Sequence, residues 1–227
     1  MVELGWARTN VNRMVGRILQ IFKYAIENEM IDVAVLTRLQ TVAPLFAGKT
    51  KATDNPPRHA VDQDEIDTVR EIVRPMVKDL IDHQLFTGAR SGELLTLTTP
   101  EMIEQTGNVW KANLDDHKCV HHGQTRTLHF GPQAKVILKK YVTETTGQRL
   151  FNITRTAYCR AITRACEKAG IDRWTPHWLR HTFCIRVREQ YGIEAAQTLA
   201  GHKTSEMTDR YSSKMDKLAS ETAAAVG

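Results

Sequence analysis

The chain has 227 residues, a formal net charge of +5 and a sequence pI near 9.1, which allows one medium domain plus a small second one and suits an anionic partner such as nucleic acid. No apolar run approaches the ~18 residues a membrane helix needs, and the amino end lacks a secretory pattern. The four cysteines (119, 159, 166 and 184) contain no Cys-x-x-Cys pair and read as reduced thiols of a cytoplasmic protein, against a disulfide-stapled secreted one.

Thr9 to Asn28 predicts a helix with Met14, Ile18, Phe22 and Ala25 on its apolar face and Asn10, Arg13, Arg17, Gln20 and Glu27 on much of the other. Asp32 to Leu39 predicts a second, shorter helix. The polar face is either a solvated surface or one turned toward DNA. Two helices over some fifty residues make a poor independent core. Ala47 to Arg58 has a linker's composition: Gly48 supplies freedom, Lys49 and Lys51 repel each other, and Pro56-Pro57 stiffens the exit.

Beyond Asp62 the period turns helical through Ile66, Val69 and Val73, restarting at Pro75 and running to Phe86. Thr87-Gly88-Ala89-Arg90-Ser91-Gly92-Glu93-Leu94-Leu95 then places Arg90 in a Gly-flanked turn before a short apolar helix. Met102–Glu104 and Val109–Asn113 read as a hairpin, and Thr125–Phe130 as a third strand. The polar tip between the last two carries Lys118. His117, Cys119, His121 and His122 lie in the same tip, but their spacing matches no standard zinc pattern, so no metal is expected. Helices are predicted over Gln133–Thr145 and Thr154–Lys168. On the latter, Arg160, Arg164 and Lys168 recur at i,i+4 and read as a phosphate-tracking stripe rather than a solvated face.

The stretch from Thr175 to Tyr211 holds the densest chemistry. Thr175 and Pro176 form a helix start, His177 and Arg180 share one face three residues apart, and Leu179, Phe183 and Val187 form the stripe facing a core. Ile193 to Ala200 predicts a short helix closed by Gly201, which leaves His202 just past its end. Thr204 then caps a third short helix carrying Tyr211. His181 matches no chemical role and is assigned to structure. Ser212 to Gly227 reads as a terminal helix that either frays or docks on a neighbour.

Taken in order, Thr-Gly-Ala-Arg-Ser-Gly-Glu, the Lys118 hairpin, His-Trp-Leu-Arg-His, Ala-Gly-His and the final Asp-Arg-Tyr resemble the signature of the tyrosine recombinases, or phage integrases. The resemblance runs from about Val61 to Tyr211. It implies a mainly α fold with a small antiparallel β-sheet (α+β). It also implies a partial helical core-binding domain at 1–46, truncated relative to the family's, a linker at 47–60 and a catalytic domain at 61–227. Under it Arg90, Lys118, His177, Arg180, His202 and Tyr211 are the catalytic set, with Glu93 orienting Arg90 or a His. Arg13, Arg17, Lys49, Lys51, Arg160, Arg164 and Lys168 would face DNA.

The residue chemistry fits a phosphodiester. Arg90 and Arg180 can fork onto non-bridging oxygens, Tyr211 can attack, His177 is the candidate base, His202 a further donor, and Lys118 can protonate the departing 5′ oxygen. The resemblance further implies a 3′-phosphotyrosyl intermediate, no cofactor and double-stranded DNA as partner. Four protomers would assemble on DNA from chains that are monomeric without it, in a cytoplasm of bacterial or phage origin. Two other readings are a type IB topoisomerase-like enzyme and a catalytically idle DNA-binding remnant.

Overall fold

The computed structural model describes residues 1–55, 59–99, 102–105, 107–114, 126–142 and 147–201. The chain divides into two compact units, Met1–Pro57 and Arg58–Gly227.

In the first unit α1 (Arg8–Glu27) packs on α2 (Val33–Gln40), whose N-cap Asp32 accepts a hydrogen bond from the Ala34 amide. The turn between them places Glu29 at φ 56°, a rare conformation for a residue with a Cβ. On the predicted apolar face of α1, Met14, Phe22 and Ala25 are half-buried and Ile18 lies exposed; Val11 is buried, and Val15, Leu19 and Ile26 are half-buried beside them. Residues 47–55, expected as part of a linker, fold back onto this unit. Arg8 donates its amide to the Thr53 carbonyl at 2.8 Å and pairs with Asp54 at 2.8 Å, and Ala52 is buried. Asn12 exchanges two hydrogen bonds with the Leu45 backbone, at 3.0 and 2.9 Å.

In the second unit α3 (Gln63–Ile72) opens on a capping box between Asp62 and Glu65. The central helix α4 (Pro75–Thr87) has Pro at its first position and ends where Gly88 takes φ 63°. It packs against α3, the strand Arg126–Phe130 (β4) and the helices Pro132–Leu138 (α6) and Pro176–Ala200 (α8), which is why its apolar residues do not form a single stripe. After α5 (Ser91–Leu95) come β1 (Thr98–Thr99) and a three-stranded antiparallel sheet in the order β2 (Ile103–Glu104), β3 (Trp110–Leu114), β4 (Arg126–Phe130). Trp110, Ala112 and Leu114 face Phe130, Leu128 and Arg126 across β3 and β4, and all six are buried. The sheet expected from the period-two patterns is therefore present.

Two corrections belong to the next segment. The helix expected over Gln133–Thr145 is α6 (Pro132–Leu138), shorter by a turn or more. Lys140 and Tyr141 instead turn toward Asp79, donating to its two carboxylate oxygens at 2.8 and 2.7 Å. A short β5 (Gln148–Arg149), absent from the sequence reading, pairs antiparallel with β1. Then α7 (Arg155–Ala169), N-capped by the Thr154 hydroxyl, inserts Tyr158, Ile162, Ala165 and Cys166 into the core. The last described element is α8 (Pro176–Ala200), broken at Gly192, whose φ of 85° no helix contains. Phe183, Cys184 and Val187 pack against Ala196 and Ala200 across that break.

Candidate active site

The turn at the end of α4 is built to hold Arg90. Gln84 donates to the Ala89 carbonyl at 2.9 Å and accepts from the buried Tyr158 hydroxyl at 2.8 Å, so a side chain from α7 locks the turn from below. Gly88 supplies the left-handed residue. A Cβ there would also run into the Phe183 ring of α8. Arg90 is then fixed twice by Glu93, whose carboxylate accepts from the Arg90 amide at 2.8 Å and from its Nη1 at 2.6 Å. Of the two partners expected for Glu93, Arg90 or a His, this contact is with Arg90.

Arg180 enters from α8. Thr175 precedes Pro176 in extended conformation, without a side-chain cap bond, and the Thr182 hydroxyl accepts from the Val61 amide at 2.9 Å, tying α8 to the start of α3. Arg180 is 1% exposed; its Nη1 donates to the Gly88 carbonyl at 2.7 Å and its Nη2 to the Ala200 carbonyl at 2.5 Å. Three of its five N–H groups remain for other acceptors. Burial, with a smaller push from the Arg90 charge, brings its pKa down to about 10, which leaves it cationic at neutral pH. His177, one turn earlier, lies on the exposed side of α8, and Trp178 beside it meets the His59 ring edge-on at 4.7 Å. His181 is buried, in keeping with its structural assignment.

A third arginine was not singled out from the sequence. Arg126 on β4 is buried; its Nη2 lies 3.4 Å from Glu93 Oε2 and its Nη1 donates to the Leu199 carbonyl at 3.0 Å. Its one sequence signal is parity: it occupies an inward position of a strand whose other inward residues are Leu128 and Phe130. Burial works against the Glu93 carboxylate, but Arg126, the Arg90 amide and the Arg90 and Arg180 charges outweigh it and hold its pKa below the usual range. Burial pushes the nearby Cys184 thiol up to about 11, so it is neutral here. Two guanidinium groups thus pair with one carboxylate while the charge of a third, Arg180, acts on it from the neighbouring turn, and the unbalanced positive charge fits an anion such as a phosphodiester.

Lys118, His202 and Tyr211 lie outside the described residues, as do His117, Cys119, His121 and His122. No group of side chains able to hold a metal ion occurs among the described residues. Arg160, Arg164 and Lys168 are exposed on α7, and Arg160 and Arg164 line a groove of about 600 Å³ with Arg155, Thr156, Thr163 and Arg173. Arg13, Arg17, Lys49 and Lys51 are exposed on the first unit, Arg13 bonded to Asn10 at 2.9 Å. No described helix is long and apolar enough to cross a membrane.

Helices around a small antiparallel sheet, with two arginine-bearing elements meeting at one buried carboxylate, suit a catalytic domain of the DNA breaking-and-rejoining class, to which the family match assigns the chain. The sequence profile of the phage integrase family matches residues 60–217, and the chain belongs to that family, the tyrosine recombinases. A tyrosine recombinase XerC from Roseiflexus sp. (strain RS-1) is 23% identical over an alignment 228 positions long that covers 86% of this chain and 72% of the relative. Among solved structures, the Tn1549 transposon integrase in complex with circular intermediate DNA matches with a TM-score of 0.64 at 18% identity, covering 97% of this chain and 80% of its own. A lambda integrase dimer bound to a COC′ core site matches with a TM-score of 0.66 at 18% identity, covering 90% and 59%. At such identity the structural likeness is one of fold.

Proposed function

We propose that this site-specific recombinase cleaves and rejoins duplex DNA through a covalent 3′-phosphotyrosyl intermediate formed on Tyr211. The observation that carries the reading is that Arg90, paired with Glu93, and the buried Arg180, bonded to the Gly88 carbonyl of the same turn, lie close enough for their charges to repel, a concentration of positive charge suited to an anion. Arg90 and Arg180 stabilise the charge that builds on the non-bridging oxygens. His177 takes the phenolic proton as Tyr211 attacks, His202 donates to the phosphate, and Lys118 protonates the departing 5′ oxygen. One P–O bond forms as another breaks, so the free hydroxyl can later reverse the step with no cofactor. The exposed basic residues of α7 (Arg160, Arg164, Lys168) and of the first unit (Arg13, Arg17, Lys49, Lys51) follow the phosphate backbone. In the domain plan this implies, residues 1–46 bind DNA together with the segment 47–55 folded onto them, the residues from there to 60 connect, and 61–227 catalyse. Strand exchange engages four protomers on DNA that are separate without it, in the cytoplasm of a bacterium or its phage.

The test is incubation with nicked duplex carrying the attachment site, followed by denaturing electrophoresis. A denaturant-resistant protein–DNA adduct is expected from the wild type and none from Tyr211→Phe. An adduct from Tyr211→Phe would show that another residue is the nucleophile. Binding without an adduct from the wild type would leave an idle DNA-binding remnant.

A further inference from the structure

We propose that Arg126 is a positioning residue of this active site: from β4 its guanidinium holds the carboxyl end of α8, where the chain departs toward His202, at a fixed distance from the Glu93–Arg90 pair. The inference rests on the proposed function, since the placement of His202 matters only if it works on the scissile phosphate.

The first argument is cost. Arg126 is the one charged side chain at an inward position of β3 and β4, where a leucine would serve packing better. Its Nε, buried, has no partner among the described residues, so the site is not arranged to satisfy this arginine fully. What it does satisfy is specific. One terminal nitrogen meets Glu93, and the other caps the Leu199 carbonyl. A cation at a helix carboxyl end also complements the helix dipole.

The second argument is fit. Gly201 closes α8 at φ 63°, and a Cβ on it would lie 2.6 Å from Arg126 Nη1. The guanidinium therefore occupies the space a side chain would need at the residue just before His202. Arg180 takes the neighbouring Ala200 carbonyl, so the last two carbonyls of α8 are held by two arginines anchored elsewhere, at Glu93 and at Gly88. At 3.4 Å the Arg126–Glu93 contact is long for a hydrogen bond, and it acts mainly through charge. Among the charges that stabilise the Glu93 carboxylate against its burial, that of Arg126 is the largest.

Arg126→Gln is expected to slow single-turnover adduct formation on nicked duplex by about ten- to a hundredfold, the scale of a misplaced catalytic group. Duplex affinity is expected to stay within about threefold of wild type, because no phosphate contact is assigned to this residue. The decisive readout is the same substitution in a His202→Ala background, where its effect should shrink to about twofold or less. An equal loss in both backgrounds would mean general destabilisation, and no loss beside wild-type His202 would refute the inference while leaving the functional reading intact. A wild type that forms no adduct overturns both. Should Arg126→Gln not fold, Arg126→Lys replaces it in the same cycle, with a smaller loss expected because an ammonium can keep one of the two attachments.

Discussion

In the first unit α1 and α2 bury Val11 and leave Ile21, Tyr24, Met30 and Val33 more than half exposed, whereas in the second unit Ile66, Val69, Leu80 and Ile81 are fully shielded. In the first unit the Arg8 and Asn12 side chains both clamp onto the Leu45 backbone, and the Arg8 amide bonds the Thr53 carbonyl. The second is held by a continuous apolar core, and such a core can tolerate a cluster of buried charges at its edge. The contrast teaches that charge chemistry at low exposure needs a rigid surround, while an exposed basic surface does not.

The largest way to break the comparison is in the core. Ile81→Ala should cost roughly 2–5 kcal/mol in a denaturant melt of the second unit. The matching change on the first unit, Ile21→Ser, should stay within about 0.5 kcal/mol. Similar costs for the two would erase the distinction.

The next effect comes from His83, buried between the rings of Phe130 and Phe151 with neither ring nitrogen bonded among the described residues. Burial pushes its pKa from about 6.5 down to about 4. Between those values the unfolded chain holds the extra proton, so stability is full above pH 6.5 and falls as pH drops toward 4. The loss should approach ~3 kcal/mol. Melts of wild type and His83→Phe across that range test it: the wild-type slope should exceed that of the variant, and identical slopes would contradict the assignment.

A smaller effect concerns the clamps. Asn12→Ala removes both bonds to Leu45 and should cost about 1–2 kcal/mol, confined to the first unit. Amide exchange near Leu45 should quicken about tenfold, with the melting of the second unit unchanged. A shift of the second unit's transition would deny that the two units hold themselves together separately.

The sequence was most legible where chain chemistry leaves one local solution. Pro75, Pro176, Thr154, Gly88 and Gly201 mark helix ends that occur where the caps predict them, and the break at Gly192 matches the separate helix expected from Ile193. The sequence left Glu93 to orient Arg90 or a His, and its contact with Arg90, three positions earlier at the helix start, came only with the structure. Features set by distant partners were not readable. The end of α6 depends on Asp79, some sixty residues away, and β1 and β5 are too short to show a period. On α1 only the exposure of Ile18 was not readable, because Ile18 fits a helical period as well as Leu19 does. Arg126 was hidden for a different reason: its partners, Glu93 and Leu199, come from elements brought to β4 only by the fold.

The account depends most on which atom becomes bonded to phosphorus. Tryptic digestion of the adduct formed on nicked duplex, followed by mass spectrometry, reads this directly. The account predicts that the nucleotide rides on the peptide Tyr211-Ser-Ser-Lys214, through the phenolic oxygen. A nucleotide recovered on any other peptide would contradict it.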